Sequence, residues 1–393
     1  MSNGVDNGKK VLNVPNLRFK DFKDFWTKIK VNEIGKIATG TTPSTKETHF
    51  YGGNFLWVTP TDINGKEVLS TTKKLTLAGL NNGRKIPKNS VLATCIASIG
   101  KNCILREDGS CNQQINAITP SNDFNVDFVY YLICKNEFQM HANAGHGGME
   151  ILNKESFGNL LVNVPNICEQ IKISDFLSLI DKRIDTQNKI IEELNVLRNS
   201  IIDNFYRKKT NGSYKPVSGM INEFCKKTTR NNEYEVLSST ANGIYKQSEY
   251  FNKEAASADT TGYKIIPFGH CTYRSMSDTG EFHFNQQLLI SKGIVSPAYP
   301  VFTIIEKHSK YVLVSLNDSP TVKKQILADK SGGTRFALPL SRLRKILIPW
   351  ADDKDIFCFE ELVSKIDSKL TTEKHIASKL LKQKNYLLAN LFI

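Results

Sequence analysis

The chain has 393 residues, 40% of them hydrophobic and 23% charged, with a net charge of +13. That length suits two or three domains, each large enough for a core. No apolar run reaches the ~18 residues of a membrane span, the N-terminus shows no apolar secretory stretch, and the excess of cations favours a polyanionic partner, nucleic acid first.

Residues 1–18 read as a polar N-terminal arm, with alternating aromatic and basic residues from Phe19 to Trp26 placed to seat it. Residues 19–166 form a first globular domain. Its β-branched runs at 55–58, 90–94, 103–105, 115–118 and 160–164 read as short strands. Phe124 to Asn143 reads as a helix with Phe128, Tyr131, Leu132 and Phe138 on one face. Residues 167–208 are a long helix, followed by a polar Gly/Pro linker from Lys208 to Pro216. A second domain occupies 209–350, with strand-like runs at 294–295, 301–305 and 311–314. Residues 351–393 are a second long helix, whose Asp352-Asp353-Lys354-Asp355 start reads as a cap rather than a metal site.

The two long helices repeat each other. The first carries a seam at steps of four and three: Ile173, Leu177, Ile180, Ile184, Gln187, Ile191, Leu194, Arg198, Ile201, Phe205. Adding 186 to each number gives Phe359, Val363, Ile366, Leu370, Glu373, Ala377, Leu380, Lys384, Leu387, Leu391. A period of 3.5 held over four heptads is a coiled-coil pattern. An internal repeat closes naturally as an antiparallel pair, about 50 Å long at 1.5 Å per residue. In that register Arg198 reaches Asp367, and by symmetry Lys384 reaches Asp181. The expected fold is α+β: two mixed α/β domains separated by a long antiparallel two-helix coiled coil, with a pseudo-twofold internal repeat. Asn112-Gln113-Gln114 recurs as Asn285-Gln286-Gln287, and Gly147-Gly148 as Gly332-Gly333, in the same order along the chain.

Signatures of chemistry are missing. There is no P-loop, dinucleotide fingerprint, nucleophile elbow or H-E-x-x-H, and no [DNS]-P-P-[YFW] of an amino-methyltransferase. The eight cysteines form no C-x-x-C pair and have no His at zinc spacing. They read as free thiols in a reducing cytoplasm. The sequence therefore predicts no catalytic residues, no metal and no cofactor. Three readings stay open: a DNA-binding module, a coiled-coil scaffold without sequence-specific DNA binding, and a nuclease or methyltransferase with unrecognised motifs.

Residues Gly40-Thr41-Thr42-Pro43-Ser44, Tyr51-Gly52-Gly53, Trp57, Thr61-Asp62-Ile63, Pro87 to Leu92, Ile99-Gly100-Lys101, Asn112-Gln113-Gln114, Gly147-Gly148 and Pro165-x3-Glu169-Gln170 together resemble the target-recognition domain of type I restriction–modification specificity subunits. Two such domains, each followed by a long helix, match that family's layout. The second domain departs from the pattern. It has no T-P-S loop, no Y-G-G-x-x-x-W and no Glu-Gln after Pro349, and resembles another branch of recognition domain. The resemblance implies a non-catalytic subunit whose two domains each read half of a split site in double-stranded DNA. It implies a helix pair that sets the unread spacer and docks two methyltransferase subunits, with restriction/translocase subunits joining the full complex and no membrane partner.

On that reading the DNA-binding candidates are Thr41, Thr42, Ser44, Lys46, Ser98, Lys101, Gln113, His146, Gly147 and Gly148 in the first domain. In the second they are Tyr273, Arg274, Ser275, Gln286, Gly332, Gly333 and Arg335. Gln113 and Gln286 can bond adenine bidentately or serve as structural hydrogen-bonding devices. The pairing residues of the coiled coil are Ile180, Asp181, Ile184, Ile191, Arg198, Ile366, Asp367, Leu370, Leu380 and Lys384.

Overall fold

The computed structural model describes residues 14–145, 150–210, 212–250, 259–328 and 335–393. The chain divides into two compact units, Met1–Asn188 with His375–Ile393, and Lys189–Lys374. Each long helix contributes to both: Ile167–Lys208 has 42 residues and Asp353–Leu391 has 39.

In the first unit an antiparallel sheet runs in the order Gly35–Thr39, Ile115–Pro120, Ser90–Thr94, Asn102–Leu105. Beside it Tyr51–Val58 pairs with Lys74–Leu75 and, in parallel, with Gly109–Cys111. Thr27–Lys30 pairs with Leu161–Val164 at the foot of the long helix. The expected helix over 124–143 is two helices, Val126–Lys135 and Glu137–Ala142. Asn125 caps the first by accepting from the Phe128 amide, and Asn136 stops it by turning its side chain onto the Leu132 carbonyl. The turn at Asn136 resets the helical phase, so Phe138 is 83% exposed rather than on the buried face. Phe128 to Ile133 are all buried, and Phe128 stacks on Phe392 beside Trp26. The arm is seated as well: Leu17 N donates to Asn390 O, and Arg18 forms a fork onto the buried carboxylate of Glu169. The Glu-Gln motif thus fastens the arm and the helix start; Gln170 accepts from the Asn125 amide.

In the second unit the sheet order is Ile221–Glu223, Val301–Ile304, Cys271–Thr272, Asn285–Gln286. Ser213–Pro216 pairs with Leu347–Trp350. The strand expected at 311–314 is part of a helix, Ser309–Asp318. Tyr311, Val312, Val314, Ser315 and Leu316 are all buried. A segment buried on every side reads as an unbroken apolar run, and periodicity alone cannot then separate helix from strand. Packing decides: Tyr311 lies edge-on to Trp350 and Phe359, and its amide donates to Glu360.

The repeat extends beyond the helices. Thr27 faces Val164, and Ser213 faces Trp350; both partners are shifted by 186. The repeated Asn-Gln-Gln, by contrast, is not a structural repeat. The first copy leads into the strand at Ile115, whereas Asn285–Gln286 is an edge strand on Cys271–Thr272. The copies lie 173 residues apart, off the offset of the frame. Both double-glycine echoes lie outside the described residues.

In each unit the helices pair antiparallel along the expected seam. Ile173, Leu177, Ile180, Leu380, Leu387 and Leu391 are buried in the first unit, with Ile184 half-buried. Phe205, Phe359, Val363, Ile366 and Leu370 are buried in the second, with Ile191 half-buried. Both anticipated ion pairs form: Lys384 Nζ lies 2.7 Å from Asp181 Oδ1, and Arg198 Nε 2.7 Å from Asp367 Oδ1. The second oxygen of each aspartate is taken by the globular domain. Tyr131 Oη donates to Asp181 at 2.6 Å, and Lys310 Nζ to Asp367 at 2.5 Å. Each carboxylate therefore joins two long helices to a short core helix. Burial pushes the Asp367 carboxyl upward, but the bonds from Lys310 and Arg198 outweigh it and leave it below the usual range.

Candidate nucleic-acid interface

In the first unit the chain crosses one end of the sheet repeatedly. Gly35–Thr39 and Ser90–Thr94 finish there, and Asn102–Leu105 and Ile115–Pro120 start there. The connections 40–46, 95–101 and 112–114 are thereby gathered. Backbone bonds fix them: Gly40 N to Ile115 O at 3.0 Å, Thr41 N to Cys111 O at 2.8 Å, and Cys95 N to Gln114 O at 2.9 Å. Gly40 is required by crowding, since a Cβ there would lie 2.2 Å from the Asn112 carbonyl oxygen.

Candidate residues separate by what they already hold. Thr41 is spent on the scaffold: its carbonyl accepts from Trp57 Nε1 and its hydroxyl from the Arg84 amide. Thr42, Ser44, Lys46, Lys101 and Gln113 are exposed, and the Thr42 hydroxyl donates to Gln113 Oε1. Ser98 is half-buried and its carbonyl accepts from Thr94 Oγ1. His146, Gly147 and Gly148 lie outside the described residues, although Gly145 and Ile96 both bridge to Ile151 beside these loops. The reading from sequence missed Lys73 and Lys74, which line a shallow groove of about 310 Å³ with Thr45, Tyr51, Gly52 and Thr72. Their adjacency in the sequence was the available signal. Asp62 accepts from the amides and hydroxyls of Thr59 and Thr72. Burial raises its carboxyl, yet those four bonds dominate and hold it below the usual range. The Thr-Asp-Ile motif is thus a loop clamp.

The second unit has the same open end. Ile221–Glu223 and Cys271–Thr272 finish there, while Asn285–Gln286 and Val301–Ile304 start there. Tyr273 is not a surface reader. It is fully buried against Phe284, its hydroxyl donates to Leu338 O at 2.8 Å, and burial pushes the phenol up. An aromatic beside an arginine looks like an interface in sequence, but Cys271, Thr272 and Tyr273 are buried in succession and only Arg274, past the strand end, faces out. Arg274 is exposed. Ser275 is half-buried, donating to Ala298 O and accepting from the Leu338 amide. Gln286 is exposed, with Nε2 on Gly269 O at 2.9 Å. Arg335 pairs with Asp278 at 2.8 Å, both exposed. Gly332 and Gly333 lie outside the described residues. The structure therefore gathers Thr42, Gln113, Ser98 and Lys101 at one end of the first sheet, and Arg274 and Ser275 at the matching end of the second.

Among the described residues no group of three His, Cys, Asp or Glu is placed to hold a metal, and no helix is long and apolar enough to cross a membrane. Exposed hydroxyls, amides and cations on rigid loops suit hydrogen bonding to base edges and phosphates.

Residues 23–196 match the family described as type I restriction modification DNA specificity domain. The chain is 30% identical over 193 residues to the MjaIX specificity subunit of Methanocaldococcus jannaschii, covering 45% of this chain and 44% of that protein. It is 28% identical over 187 residues to the EcoR124I/EcoR124II specificity subunit of Escherichia coli, covering 45% of each. The matched stretches thus span under half the length of these curated relatives. The fold resembles the crystal structure of a type I restriction–modification S subunit from M. genitalium, with TM-score 0.61 and 16% identity over 97% of this chain and 99% of that one. A second solved structure, from work on complex assembly of the type I R-M system, gives TM-score 0.52 and 12% identity over 92% and 96%. Residues 23–196 thus match a type I restriction modification DNA specificity domain, carried on a fold shared with that S subunit along nearly the whole chain.

Proposed function

We propose that this chain is the DNA-specificity subunit of a type I restriction–modification complex, with no catalytic activity of its own. The first recognition domain, 19–166, reads one half of a bipartite site in double-stranded DNA, and the second, 209–350, reads the other. The helix segments 167–208 and 351–393 set the unread spacer and dock two methyltransferase subunits; restriction/translocase subunits join the full assembly in the cytoplasm. The carrying observation is the repeated module: the family match covers the first copy, and the strand pair at 213–216 and 347–350 rebuilds the same foot at an offset of 186. Two different readers on one frame specify an asymmetric split sequence.

The test is reconstitution with the methyltransferase subunits and selection from a randomised DNA library. The expected product is two fixed half-sites separated by a constant unread gap. Methyl transfer from S-adenosylmethionine by the purified chain alone would sink the non-catalytic reading. Inserting one heptad into both helices should lengthen the gap and leave the half-sites unchanged.

A further inference from the structure

We propose that Phe224–Arg230 is the second domain's counterpart of the 40–46 loop, and that Lys226, Lys227 and Arg230 on it form a binding site for DNA backbone phosphates. This rests on the reading above and names residues that the sequence motifs do not reach.

The correspondence comes from hydrogen bonding rather than residue likeness. On leaving its strand, Gly40 donates to Ile115 O at 3.0 Å; Phe224 donates to Val301 O at 2.9 Å. Ile115 and Val301 each open the equivalent strand, and they are 186 residues apart. Both loops then pass the segment that feeds the next strand. In the first unit the Arg84 amide donates to Thr41 Oγ1. In the second, Ile265 N donates to Lys226 O and Thr228 N to Tyr263 O, each at 2.9 Å. Those feeder segments are themselves equivalent, since Ile86 bridges Gly109 and Ile265 faces Ile294.

The contents of the two loops differ. Residues 40–46 hold one cation, Lys46, whereas 224–230 hold three. The second loop is also anchored. Thr228 is 4% exposed and its hydroxyl donates to Thr260 O at 2.7 Å, while Lys226, Lys227 and Arg230 on either side are exposed. No ion pair joins these three to a carboxylate among the described residues. Nearby acids have other partners: Glu233 accepts from the Thr229 amide, Glu235 from Ser248, and Glu223 pairs with Arg344. Three exposed cations within five residues, none held in an ion pair among the described residues, suit a duplex that carries a charge every ~1.7 Å of its axis. Lysine brings charge but no acceptor, so two of the three groups cannot read donor–acceptor patterns as amides do.

The test uses the complex reconstituted with methyltransferase subunits. DNA affinity is measured against salt for the wild type, for Lys226→Gln/Lys227→Gln/Arg230→Gln, and for the charge-keeping Lys226→Arg/Lys227→Arg/Arg230→Lys. Neutralisation should lower the slope of log K against log salt by about 0.9 for each phosphate that no longer meets a cation, roughly 2 to 3 in all. The charge-keeping variant should retain the slope. An unchanged slope on neutralisation overturns the site. So does an equal fall in both variants, because the loop would then act through shape. Library selection with the same wild-type complex decides the underlying function separately: a phosphate site with no split-site preference would stand while the specificity reading fell.

Discussion

The two globular domains share a frame and differ in the loop that leaves the first strand of each sheet. In the first, the chain leaves its strand through Gly40, seated so tightly against the 111–112 backbone that no side chain fits. Thr42 is thereby presented beside Gln113. In the second, Phe224 stands at that exit, edge-on to His270 at 4.8 Å, and the loop beyond it is cationic. Strand register, helix seam and junction carboxylates are repeated in both units. What differs is whether the loop offers neutral hydrogen-bonding groups or charge. Under the proposed function, a repeated frame with unlike loops suits an asymmetric site, because affinity from phosphates and discrimination from base edges can be divided between the halves.

The frame is where the largest effects are expected. Phe392 and Tyr206 are related by the offset of 186, and each is buried against an aromatic of its short core helix, Phe128 and Tyr311 respectively. Truncation of either to Ala should cost about 3–5 kcal/mol. Denaturant unfolding followed with a probe in each unit should show Phe392→Ala shifting the first unit's transition and Tyr206→Ala the second's. If both variants moved both transitions equally, the units would not be separate carriers of stability.

Next come the junction carboxylates. Asp181→Ala removes the carboxylate that pairs with Lys384 and one partner of the Tyr131 hydroxyl, which keeps Lys66 and Ser178, whereas Asp367→Ala leaves Arg198 its second carboxylate, Asp318, at 3.0 Å. These groups are partly exposed, so the cost should fall below the 3–5 kcal/mol of a fully buried pair. About 2–3 kcal/mol is expected for Asp181 and less for Asp367. Asp367 also sets a pH dependence. Its carboxyl is depressed in the folded state, so its contribution is present above the unfolded value near 3.8 and is lost as pH falls below it. Asp367→Asn should therefore be less stable at neutral pH but lose less on acidification, as read from thermal unfolding between neutrality and strong acid.

Gly40→Ala tests the loop comparison. Its methyl would meet backbone oxygens at 2.2 and 2.3 Å, so the loop must shift. A cost of about 1–3 kcal/mol is expected, with weakened selection of the first half-site and the second half-site unchanged. Phe224→Ala crowds nothing and should leave both half-sites selected.

The same contrast explains what could be read in advance. The seam was legible because a 3.5-residue period over four heptads leaves one register, and the ion pairs of Arg198 and Lys384 followed from that register alone. The candidate interface was legible only where glycine or a turn was obligatory, as at Gly40. The Asn-Gln-Gln echo misled because three residues carry no register; Asn112 closes a turn while Asn285 bonds Ser239 and Thr240. The 224–230 loop was invisible because its likeness to 40–46 lies in backbone partners that no residue identity encodes. Tyr273 and the helix at 309–318 were misread for one reason. Burial on all sides removes the alternation from which orientation is inferred.

The smallest expected effect separates the two junctions most finely. Tyr131→Phe keeps the buried ring and removes only the hydroxyl that donates to Asp181. Asp181 retains Lys384, and Lys66, which also touches that hydroxyl, retains Ser178 and Asp127. The net loss should be about 1 kcal/mol, that of an ordinary intramolecular hydrogen bond. The matched change in the second unit is Lys310→Met, which frees the corresponding oxygen of Asp367. Lys310 is 37% exposed, so water replaces much of what is lost and the cost should stay below that of Tyr131→Phe. High salt should shrink the Lys310 effect and leave the Tyr131 effect intact, since only the former is an exposed ion pair. A salt-sensitive Tyr131→Phe variant would mean that the hydroxyl acts by tuning the Asp181–Lys384 pair, and the first junction would then be the more electrostatic of the two.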